Sequence, residues 1–161
     1  MKRGMSLAVL VAALAGVMAA TPAMAAQRLD VHIEVTSPFT QDAVPFVASG
    51  PAVDSGLLSA TGFVSTGDVT VSPSPHRDGF LYLTVLKHFV CDNGTFDVEV
   101  AATIDLNAGT GSGDRTGSGH WTVLGGTGSY ANLKGNGKCY STQCVPGESV
   151  YDFYDASLKT R

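Results

Sequence analysis

Four histidines, three cysteines and one glycine-rich fingerprint are the residues whose types and spacing could do chemistry in this chain. His32 and Glu34 lie two apart in an alternating stretch, so they share a strand face and form the best acid–base pair available. Solvation explains alternating polar residues on a strand equally well, and no third group completes a motif around them. Glu34 is therefore the single candidate catalytic residue, and no catalytic motif is evident. His88 and His120 alternate with apolar neighbours and read as hydrogen-bonded structure, and His76 lies in a proline-rich loop. No serine sits in a Gly-x-Ser-x-Gly elbow. No Cys and His spacing matches a zinc site, so no metal is expected.

The fingerprint is Gly126-Thr-Gly128-Ser-Tyr-Ala131, with Glu148 twenty residues beyond Gly128. It matches a dinucleotide-binding pattern only on paper, because that pattern must open a helix whose N-terminus receives the pyrophosphate. Here Gly135, Asn136 and Gly137 fill the positions of the helix body, and no phosphate-cradling lysine accompanies the corner. No cofactor is implied. The stretch from Gly117 to Lys138 reads instead as strand, corner and strand. Gly125, Gly126, Thr127, Gly128 and Tyr130 form the corner, and Gly135 and Gly137 lie in a tightly curved second strand.

Compartment follows from the first residues. Lys2 and Arg3 precede an apolar run from Leu7 to Ala20, then Pro22 and the small-residue site Ala23-Met24-Ala25, the pattern of a cleaved signal peptide over 1–25. A single domain over 26–161 remains, secreted or periplasmic, with no membrane span after processing. The whole chain has 10 Lys and Arg against 14 Asp and Glu. Loss of Lys2 and Arg3 brings the net charge to about −6, which repels a phosphate backbone, so nucleic acid is not an expected partner. Cys91, Cys139 and Cys144 survive processing into an oxidising compartment. Cys139 and Cys144 are near in sequence across an expected turn and are the favoured disulfide, with Cys91 joined to either as the competitor.

The elements that would position these residues are strands. Leu29 to Thr36 and Phe96 to Leu106 alternate cleanly, Val44–Gly50, Leu57–Val64 and Val69–Ser72 are shorter, and Ser149–Leu158 closes the chain. Phe80–Val90 is apolar on both faces, so its outer face is expected to meet a terminal segment or another subunit. Asn93-Gly94 signals a type I′ hairpin, and Asn93-Gly-Thr95 is also a glycosylation acceptor pattern. The only helical piece expected is one turn near Ser129–Leu133. Short strands without crossover helices give an all-β, antiparallel domain, best closed as an eight-stranded barrel, with a β-sandwich as the alternative. Trp121, Tyr130, Phe89 and Phe96 are candidates to line an apolar cavity, although core packing accounts for the same residues.

At Trp121-Thr-Val-Leu-Gly-Gly-Thr-Gly-Ser-Tyr-Ala-Asn-Leu-Lys-Gly-Asn-Gly137 the chain resembles the allene oxide cyclase-like barrels, relatives of the plant dirigent proteins. Pro45-Phe-Val-Ala-Ser-Gly50 and Phe89-Val-Cys-Asp-Asn-Gly-Thr-Phe96 are similar in layout to small exported bacterial members. The resemblance implies an eight-stranded barrel, often oligomeric, with an apolar cavity, and enzymes that shape unsaturated substrates away from water. Three readings follow: an exported barrel that binds a small apolar ligand, a cyclase or isomerase anchored by Glu34, and a structural barrel that assembles through its Phe80–Val90 strand.

Overall fold

The computed structural model describes residues 27–38, 41–108, 115–145 and 149–160. The expected signal peptide lies outside these residues. Eight antiparallel strands, each hydrogen-bonded to the next and the last to the first, close a barrel in sequence order. They are β1 (Leu29–Pro38), β2 (Ala43–Ser49), β3 (Thr61–Pro73), β4 (Phe80–Cys91), β5 (Gly94–Asp105), β6 (Arg115–Gly126), β7 (Leu133–Val145) and β8 (Ser149–Thr160). The sandwich alternative is overturned, because β1 and β8 pair over ten residues and leave no open edge. Among the described residues no helix is long and apolar enough to cross a membrane.

Alternation along each strand decides the inside. Val31, Ile33 and Val35 of β1, Phe46 of β2, Phe89 of β4, Val98 of β5 and Leu158 of β8 all point into the lumen and are buried. The lower half of the barrel is packed solid by aromatic rings. Phe89 and Phe96 lie directly opposite each other on β4 and β5 and stack at 4.6 Å, while Phe46, Tyr154 and Tyr130 meet them edge-on. A one-turn helix, α1 (Pro51–Asp54), closes this end with Ala52 and Leu58 buried beneath it. The expected strand Leu57–Val64 begins only at Thr61, because Gly50 at φ 102° turns the chain and Pro51 starts that helix.

Three further expectations change. Leu57–Val64 and Val69–Ser72 join in one strand, β3, bent by a register shift between Thr66 and Val69. The β4–β5 turn centres on Asp92 and Asn93 rather than Asn93 and Gly94. No non-glycine residue among those described has positive φ, and Gly94 at φ 139° opens β5 instead. The turn expected between Cys139 and Cys144 is absent, since both lie on β7. Five residues of strand span roughly 16 Å, well beyond the ~7 Å limit for Cα atoms of a disulfide. Cys139 and Cys91 are free thiols.

The glycine corner forms as expected, but it is a latch. Strand β6 runs through Gly125 to Gly126, and a 3-10 turn at Gly128–Tyr130 leads into β7. Thr127 N–H donates to the Thr95 carbonyl at 2.8 Å and Ser129 N–H to the Asn93 carbonyl at 2.9 Å. The Thr127 and Thr95 hydroxyls lie 2.9 Å apart. Gly128 is required twice over: its φ is 56°, and a Cβ there would strike the Asn93 carbonyl oxygen. Gly125 has open space around it and is not required by contact. The three-residue turn offers no helix N-terminus to a pyrophosphate, so the fingerprint is structural.

Candidate functional site

Above the aromatic floor the lumen is no longer full. A cavity of about 200 Å³ lies between strands β3 to β8, with Leu83, Val85, Val100, Ala102, Ile104 and Tyr154 on its walls. Its polar lining residues include Thr66, Lys87, Ser118, Tyr140, Ser141 and Asp152, with the thiol-bearing Cys139 beside them. A second cavity of about 510 Å³ adjoins it below the β1–β2 connection and shares Thr66, Lys87 and Asp152 with it. Those three residues therefore stand at the junction of the two spaces.

Strand period alone puts them there. Lys87 falls between Val85 and Phe89 on the inner face of β4, and Asp152 between Val150 and Tyr154 on that of β8. Lys87 Nζ donates to Thr66 Oγ1 at 2.9 Å. The Asp152 carboxylate accepts from Ser141 Oγ at 2.6 Å and from Ser37 Oγ at 3.1 Å. The two charges do not pair with each other, for every ion pair among the described residues involves a histidine on the outer surface. Burial, then the neighbouring Asp152 charge, holds the Tyr154 hydroxyl well above its ordinary pKa. The same two causes push the Cys139 thiol up to about 11, so it stays protonated and is no nucleophile at neutral pH.

The residues singled out from sequence lie elsewhere. Glu34 and His32 are on the outer face of β1, where His32 Nδ1 lies 2.6 Å from Asp155 and Nε2 lies 3.2 Å from Glu34. Glu34 cannot anchor a substrate in the lumen, and the cyclase reading built on it is withdrawn. Phe89, Phe96 and Trp121 are core, at no more than 1% exposure, and do not wall the cavity. Tyr130 is buried at the closed end, where its hydroxyl accepts from Ser59 N at 3.2 Å and lies 2.8 Å from Ser59 Oγ. One core group is left unpaired: Trp121 Nε1 has no hydrogen-bond partner among the described residues. His88 meets Asp97 at 2.7 Å on the outside. No group of three or more His, Cys, Asp or Glu side chains among the described residues could hold a metal.

Comparison with known proteins leaves this geometry to stand by itself. No family model, curated protein or solved structure matches the chain. A cavity was expected from sequence but on other residues, although a signal for its polar groups was present, since Lys87 and Asp152 each interrupt an otherwise apolar inward face. A charge at an inward position of a half-filled barrel marks a wet or liganded lumen.

Proposed function

We propose that this is an exported barrel of the allene oxide cyclase-like kind that binds a small ligand with an apolar body in its lumen. The observation that carries the reading is the 200 Å³ cavity, with apolar residues on its walls and a set of polar groups among them. The volume is below the roughly 300–1,000 Å³ of drug-sized sites, so it suits one ring or a short aliphatic chain. The resemblance of Trp121–Gly137 to that family supports the same reading, and the protonated Cys139 and outward Glu34 favour binding over catalysis. Calorimetric titration with n-butylbenzene tests it. Saturable binding that disappears in Ala102→Phe, whose ring would fill the cavity, supports the reading, and equal heats for both proteins refute it.

One exterior feature favours a second reading, self-association. Pro45, Phe63 and Val90 are aligned across β2, β3 and β4 on the outer face. Phe63 and Val90 are 57% and 48% exposed, and no segment of the described chain covers them. Sedimentation of the wild type as a dimer or larger, and of Phe63→Lys as a monomer, is the expected outcome; a wild-type monomer at micromolar concentration contradicts it.

A further inference from the structure

Resting on the luminal reading, we infer that the ligand is zwitterionic at one end, with an ammonium and a carboxylate close together on an apolar body, as in an apolar α-amino acid. The argument starts from two opposite charges that face one space without neutralising each other. Lys87 and Asp152 wall both the apolar cavity and its larger neighbour, yet no ion pair joins them. An ammonium and a carboxylate that face one half-buried space without pairing each keep unused hydrogen-bonding capacity, which a polar group placed between them satisfies.

Counting hydrogen-bonding capacity shows what that something must offer. The Lys87 ammonium has three donors and uses one on Thr66. The Asp152 carboxylate has about four acceptor sites and uses two, on Ser37 and Ser141. Two N–H donors of Lys87 and two lone-pair sites of Asp152 remain unused by these contacts. A carboxylate satisfies the first and an ammonium the second, and an α-amino acid carries both on a single carbon. The serines and Thr66 hold the receiving groups in place, which reduces the ordering cost of binding.

The apolar body then has one place to go. Leu83, Val85, Val100, Ala102, Ile104 and Tyr154 wall the space next to the charges, and among the described residues no second cation faces that wall. Asp42 also faces the larger cavity, so the acidic side of the junction outweighs the basic side there. That balance disfavours a ligand whose only charge is a carboxylate, and it distinguishes this proposal from a simple fatty acid site. A purely cationic ligand would leave the Lys87 donors without an acceptor.

Titration calorimetry of the purified protein with L-phenylalanine, N-acetylphenylalanine, phenylalanine amide and ethylbenzene reads the proposal directly. The expected result is that phenylalanine binds at least tenfold more tightly than either single-charge analogue. Asp152→Asn should remove the advantage over N-acetylphenylalanine, and Lys87→Met the advantage over the amide. Leu and Phe side chains are expected to be accepted, and glutamate rejected. If ethylbenzene binds as tightly as phenylalanine, the zwitterion proposal falls while the apolar lumen stands. If no probe binds, both fall. A thermal melt of each variant, matched to wild type within a few degrees, confirms that lost binding is not lost folding.

Discussion

Tyr130 shows how one residue type read for one purpose serves another. Its ring packs edge-on to Phe96 at 5.5 Å and its hydroxyl ties the corner to Ser59 of the β2–β3 connection. Tyr130→Phe keeps the packing and leaves Ser59 N–H without this acceptor, so urea unfolding should show a loss of about 1–3 kcal/mol. Trp121 behaves differently because its indole N–H has no partner to lose. Trp121→Phe is expected to cost clearly less than the roughly 3–5 kcal/mol of Trp121→Ala, since it removes a buried unpaired donor along with some volume. On the outer face, His32 has its pKa raised by the hydrogen bond to Asp155, against the opposing effect of burial, with Glu34 adding to the rise. A raised folded-state pKa means that the stabilisation is fully present below the unfolded value near 6.5 and is lost as pH rises through the folded value. His32→Ala should therefore destabilise the protein more at pH 5.5 than at pH 9, and equal penalties at both would contradict this. The acid–base pair was legible in the sequence, but which side of the wall it faced was not fixed until the register of β1 was known.

Elements were legible where alternation was uninterrupted. Strands β1 and β5 emerge close to their expected bounds because Val31, Ile33, Val35, Phe96, Val98 and Val100 recur with period two. The β3 strand was not, because Gly67 and Asp68 interrupt its pattern at the bulge and made one bent strand look like two. The hairpin at Asn93–Thr95 has a local signal, but its docking against the glycine corner 32 residues away has none. Long-range register also explains Gly137, where a Cβ would strike the Asp155 carbonyl of the neighbouring strand. Gly137→Ala forces β7 and β8 apart and should cost at least ~1–3 kcal/mol by chemical denaturation. Gly125→Ala, with open space at its Cβ position, should cost far less.

At the scale of the molecule, closure, eight strands and antiparallel order were all foreseeable from short strands and turn residues, whereas the division of the lumen into a packed half and a hollow half was not. That division depends on where large rings end. Phe46, Phe89, Phe96 and Trp121 crowd the end closed by α1, and Ala102, Cys139, Gly119 and Gly117 leave the other half thinly filled. The most direct test of the account is a methyl-resolved NMR titration of the protein with n-butylbenzene. The account predicts shifts confined to Leu83, Val85, Val100, Ala102 and Ile104, with Leu133 and Leu158 at the packed end unmoved. Shifts centred on the outward Val47 and Val90, or none anywhere, would contradict it.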